Sequence, residues 1–138
     1  MNGPLGEFSG AVAELVARVA PSVVGVGRSG SGVVVAPGLV VTNAHNLRGE
    51  VAVFFEDGRA ATASVAGADV DGDLAVLAVD TAEAPALSWS DEPTAVGHVV
   101  VGLSRPGVRP TQAHVEAGNR LFGSLRIESM PLHFLPER

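Results

Sequence analysis

Cysteine is absent from this chain of 138 residues, which excludes a disulfide framework, a thiol nucleophile and a thiolate zinc site, and leaves the redox compartment undetermined. Lysine is absent too. The 9 cations are all arginine, they stand against 15 Asp and Glu for a formal net charge of −6, and they form no basic run. An electrostatic footprint for nucleic acid is therefore missing, and nucleic acid is not expected as a partner. Long apolar runs are missing as well: the apolar fraction is 46%, but 17 Gly and 9 Pro interrupt it before any segment reaches the roughly 18 residues a membrane span needs. A soluble chain with no membrane span is expected. Met1-Asn2-Gly3-Pro4-Leu5-Gly6-Glu7 has neither a basic n-region nor an apolar h-region, so no secretory signal is read there. The cytoplasm is then the default compartment, with the periplasm and the exterior left open.

What is present divides by period. Phe8, Ala11, Val12, Leu15, Val16 and Val19 recur at helical spacing, Ser9 is placed to cap, and Pro21 stops the pattern, so one short amphipathic helix is expected. From Ser22 the period changes to two. β-Branched runs at Val23-Val24, Val33-Val34-Val35 and Val51-Ala52-Val53 are bounded by the turn signals Gly30-Ser31-Gly32, Ala36-Pro37-Gly38 and Glu56-Asp57-Gly58. Asp57-Gly58 suits a tight hairpin because both residues tolerate positive φ. Strands are expected near 22–28, 31–36, 39–42, 50–56, 59–67, 73–80 and 97–103. They make a mostly β chain with a closed, six-stranded antiparallel barrel, one of the seven pieces being surplus, and the sheet closes near Ser104. Beyond Arg105 the periodicity weakens among Pro and Gly. The chain thus divides into an N-terminal helix over 1–21, a barrel over 22–104, and over 105–138 an incomplete appendage or the start of a second barrel.

The order of these pieces carries a resemblance. The helix, then Val19-Ala20-Pro21-Ser22-Val23-Val24, Gly30-Ser31-Gly32-Val33-Val34-Val35, Leu39-Val40-Val41-Thr42-Asn43-Ala44-His45, Asp57-Gly58-Arg59, Asp73-Leu74-Ala75-Val76-Leu77 and Val101-Gly102-Leu103-Ser104-Arg105-Pro106-Gly107 together resemble the N-terminal barrel of the HtrA/DegP-type trypsin-like serine proteases. The match runs through about residue 107. It implies two six-stranded barrels with the active site between them, His and Asp coming from the first and Ser from the second, so here the second barrel is missing or incomplete. By position, His45 matches the general base and Asp73 the carboxylate that orients it. An imidazole with an unperturbed pKa of about 6.5 both accepts and returns a proton near neutrality.

Rival readings concern the same residues. Asp69, Asp71 and Asp73 alternate, and Asp80 follows at the last position of a calcium-loop spacing, but Leu74 stands where that loop needs glycine and the flanks read as strands. Register with Leu74-Ala75-Val76-Leu77 favours Asp73 as the carboxylate. His98, His114 and His133 are dispersed without paired ligand spacing, so neither a metal nor another cofactor is expected. The family's nucleophile sits in Gly-Asn-Ser-Gly-Gly, whose amides form the oxyanion hole, and this sequence has no such segment. Ser29 and Ser31 belong to a hairpin, Ser104 to a strand, and Ser124 lacks the following glycines.

Two functions remain open at this level. One is the front half of a trypsin-like endopeptidase acting on unfolded or extended polypeptide, inactive alone. The other is a non-catalytic pseudo-protease barrel that binds extended peptides or a partner by edge pairing. In either case the face that would meet a second barrel is apolar, so a homo-oligomer or a companion chain is expected, with 130–136 available to cover part of that face.

Overall fold

The computed structural model describes residues 3–47, 49–90 and 95–117. Helix α1, Gly3–Val19, leads into a 3₁₀ turn at Ala20–Ser22. It begins well before Ser9, which lies inside it rather than capping it. Pro4 explains the earlier start: proline fits the first helical turn, where its missing N–H has no partner to lose. None of the helix residues is buried.

Six strands follow: β1 Val23–Val26, β2 Gly30–Ala36, β3 Leu39–Thr42, β4 Val51–Phe54, β5 Ala60–Asp69 and β6 Leu74–Ala78. They close into an antiparallel barrel in the order β1-β2-β3-β6-β5-β4, the seam being Gly25 opposite Phe54 and Val26 opposite Val53. The mostly β class and the six-stranded barrel behind one helix are as the sequence indicates. The point of closure differs. Both sides of β1 are already occupied by β2 and β4, so the barrel is complete at Ala78 and the segment near 97–103 has no edge to join. That segment is β7, Val99–Ser104, and it pairs instead with β8, Gln112–Ala117, in a separate two-stranded ribbon.

The barrel interior is valine-rich. Val24, Val26, Val34, Val40, Val53 and Leu77 are fully or almost fully buried, and Phe55 seals one end with the Arg59 guanidinium 4.0 Å above its ring. β-Branched side chains suit this surface because their stiff χ1 costs little in a pleated strand. The Asp57-Gly58 turn is a three-residue loop, not a two-residue one. Phe55 donates its amide to the Arg59 carbonyl at 2.8 Å, Asp57 Oδ1 accepts the Arg59 amide, and only Gly58 takes positive φ, at 92°.

The ribbon is fastened to the barrel by backbone. Arg105 donates its amide to Ser31 Oγ at 2.9 Å and Gly107 donates to the Gly30 carbonyl at 3.1 Å, while Leu103 is buried. Gly25 lies directly beneath: a Cβ there would come within 1.7 Å of the Gly107 carbonyl oxygen. Two glycines are thus needed for these chains to cross. Residues 118–138, with Ser124, His133 and the 130–136 segment, lie outside the described residues.

Candidate functional site

Strand β3 ends at Thr42, whose hydroxyl donates to the Ser31 carbonyl at 2.7 Å and ties β3 to β2. The chain then turns through a 3₁₀ segment, Ala44–Asn46, that lifts His45 out of the sheet. Opposite, the β5–β6 connection folds back on itself. Asp69 Oδ1 accepts the Gly72 amide at 3.0 Å, and the Asp73 amide donates to the Val70 carbonyl at 3.2 Å. The alternating carboxylates therefore do different work. Asp69 shapes the turn, and Asp73 points to His45.

His45 and Asp73 meet in two ways. The Asp73 carboxylate accepts the His45 amide on Oδ1 at 2.9 Å, and its Oδ2 lies 2.6 Å from His45 Nδ1. The second contact fixes the ring orientation and leaves Nε2 as the nitrogen available for proton exchange. The imidazole is 67% exposed and the carboxylate 36%. Partial burial is the largest influence on the Asp73 carboxyl and acts to raise its pKa. Donation from the His45 amide and ring, the His45 charge and the Ala44 amide act the other way and together prevail, so the carboxyl titrates below its ordinary value.

A further residue holds the pair. Asn43, nearly buried, donates from Nδ2 to the Asp73 backbone carbonyl at 3.1 Å, and the Ala44 amide donates to the same oxygen at 3.2 Å. Asn43 was read from the sequence only as part of the Thr42-Asn43-Ala44-His45 match. Its position immediately before the histidine is the one signal that it bridges to the carboxylate loop.

A cleft of about 520 Å³ opens beside His45, with Arg28 and Ser29 on the β1–β2 turn and Glu50 on its walls. The other singled-out residues are elsewhere. Ser31 accepts the Arg105 amide. Ser104 ends β7, and His98 Nδ1 accepts the Ala95 amide in a turn. His114 sits on β8. Among the described residues no group of three or more His, Cys, Asp or Glu is placed to hold a metal ion, and no helix is long and apolar enough to cross a membrane.

Comparison with known proteins points to one family. A family model described as a trypsin-like peptidase domain matches residues 30–123. A probable periplasmic serine endoprotease, DegP-like, of Halomonas elongata is 40% identical over 81 residues, 56% of this chain and 17% of that protein. The serine protease Rv3671c of Mycobacterium tuberculosis is 36% identical over 99 residues, 68% of this chain and 25% of that protein. Among solved structures, a serine endoprotease from Yersinia pestis superposes with a TM-score of 0.67 at 30% identity over 75% of this chain and 42% of its own. An inactive form of the Rv3671c protease superposes at 0.65 with 37% identity, covering 73% and 53%. The chain thus spans a quarter or less of these curated relatives and about half of the solved chains.

Proposed function

Because the chain belongs to the trypsin-like peptidase family, we propose that it is the part of an HtrA-like serine endopeptidase that carries the base and its orienting carboxylate. His45 is the base, taking the proton from a serine hydroxyl and returning it to the leaving amine. Asp73 holds the ring in the tautomer that keeps Nε2 free and stabilises the imidazolium once it forms. The observation that carries this reading is the double contact of Asp73 with the His45 amide and Nδ1, beneath an imidazole left open to solvent.

The nucleophile and the oxyanion hole lie outside this sequence, which contains no Gly-Asn-Ser-Gly-Gly. A base without a positioned hydroxyl and without donors for the developing oxyanion supplies little acyl transfer, so the chain is inactive alone. A continuation of the chain or a companion polypeptide completes the cleft at the end of the barrel that bears His45, and the β7–β8 ribbon leads toward that second unit. The substrate class is unfolded or extended polypeptide. A second reading, a pseudo-protease that pairs with extended peptides, is favoured by one observation. The barrel is closed and has no edge, but among the described residues β7 and β8 each leave one.

A fluorophosphonate, which captures activated serines, separates these. With the purified chain, intact mass is expected to stay at 14.0 kDa. In extracts of the source cells, a heavier labelled species containing this sequence is expected, and its labelling should be lost on His45→Ala. An adduct on the purified chain would refute the missing nucleophile. Labelling of the heavier species that survives His45→Ala would refute the role given to His45, and no heavier species at all would leave the peptide-binding reading.

A further inference from the structure

Among the described residues only Asp73 and Ala82 take positive φ without being glycine. Asp73, at 55°, lies in the left-handed region, where a residue with a Cβ persists only if its surroundings hold it there. Its amide is committed to the turn before it, donating to the Val70 carbonyl at 3.2 Å. That commitment loosens its tie to β3. The register that sets Thr42 opposite Ala75 sets Ala44 opposite Asp73, and such a pair ordinarily exchanges two backbone bonds. Here the Ala44 carbonyl accepts from the Leu47 amide instead, at 3.1 Å, and the pair keeps one bond, from the Ala44 amide to the Asp73 carbonyl at 3.2 Å.

Asn43 supplies a second donor. Its Nδ2 donates to the same carbonyl at 3.1 Å, so that both lone pairs of that oxygen are used. A carbonyl only accepts, so the nitrogen and not the oxygen of the carboxamide must face it. Asn43 is 8% exposed, and the residue before it, Thr42, is fully buried with its hydroxyl on the Ser31 carbonyl, so Asn43 leaves a fixed point in the barrel wall. With the Asp73 amide and carbonyl both held, its Cα is fixed, and the side chain leaves toward the His45 amide and Nδ1. We propose that Asn43 is a positioning residue of this site: its carboxamide holds Asp73 in the left-handed conformation from which the carboxylate reaches His45, and so orients the base from within this barrel, with no group from a second unit. The inference rests on the reading of His45 as the base.

Titration of the folded state separates positioning from mere support, because a loss of stability alone does not move the pKa of a group in molecules that remain folded. In the purified chain, Asn43→Ala should shift the Asp73 carboxyl, which titrates below its ordinary value, upward toward that value as followed by NMR. The same variant should lower the hydrogen-exchange protection of the His45 amide roughly tenfold, the effect of one lost hydrogen bond. Asn43→Asp keeps the shape but cannot donate while ionised. It should match Asn43→Ala at about pH 7 and regain His45 protection at about pH 5, where the new carboxyl, its pKa raised by burial against a carbonyl, is protonated and donates again. This variant carries the test if Asn43→Ala does not fold. An Asp73 carboxyl that titrates as in the natural chain in both variants, with His45 protection unchanged, would make Asn43 a space-filling residue whatever urea unfolding shows. Failure of Asn43→Asp to recover on acidification would equally overturn the proposal, since the donor would then not be what matters. The fluorophosphonate labelling tests the base, and these measurements read only its contact with Asp73, so the two readings fail separately.

Discussion

Asp73 holds its backbone at φ 55°, in the left-handed region that few residues other than glycine enter without cost. Aspartate and asparagine tolerate it, which fixes the choice of variants. Asp73→Asn keeps the backbone and an acceptor for the His45 amide but removes the charge. Asp73→Ala removes both and adds the strain of a Cβ without a local hydrogen bond, so it should be less stable than Asp73→Asn by about 1–2 kcal/mol in urea unfolding. The charge has its own signature. The carboxyl pKa is depressed in the folded state, so the stability it contributes is present above the unfolded value and is lost as pH falls through the folded one. The difference between the natural chain and Asp73→Asn should therefore be larger at about pH 6 than at about pH 2.5, below the ordinary range for aspartate near 3.9. Equal differences at both would mean that the carboxylate does not engage His45 in solution.

The barrel strands were legible because β-branched runs and glycine turns fall at their natural intervals, and the meeting of His45 with Asp73 was legible because one lies just past the end of such a strand and the other just before the start of another. Three things were not. The β7 segment has the same composition as a barrel strand, and what excludes it is the pairing already made between β1 and β4, which is a property of the closed sheet. The first turns of α1 were hidden by glycine and Pro4, residues that read as breakers unless the helix has yet to begin. The fastening of β7 also escaped local reading, because it rests on Gly25 and Gly107, far apart in sequence and in contact only in the fold. Gly25→Ala places a methyl group against the Gly107 carbonyl carbon and oxygen, backbone that no side-chain rotation relieves. It is expected to lower stability by about 1–3 kcal/mol and to expose the 105–109 segment to limited proteolysis. An unchanged cleavage pattern with unchanged stability would show that the crossing is looser than described.

At the scale of the molecule, the closed barrel and the ribbon differ in what holds them. Strands β1 to β6 share one core, every barrel strand has two neighbours, and loss of any one opens the whole. The β7–β8 ribbon has one pairing, leaves Val99 and Val115 exposed, and meets the barrel chiefly through Leu103, the Arg105 amide and Gly107. A two-stranded sheet is marginal in water without a packed face. Native-state hydrogen exchange should therefore resolve two levels. Amides of β3 and β6, around Val40 and Leu77, should exchange only through global unfolding, so that Leu77→Ala lowers their protection by about 2–5 kcal/mol, the cost of emptying a fully buried leucine site. Amides of β7 and β8 should exchange at a lower free energy and respond less to Leu77→Ala, because they open without the barrel opening. Binding of whatever completes the cleft should then raise the ribbon toward the barrel's level. If ribbon and barrel amides already share one protection and move together on Leu77→Ala, the two form a single cooperative unit and the ribbon does not wait for a partner.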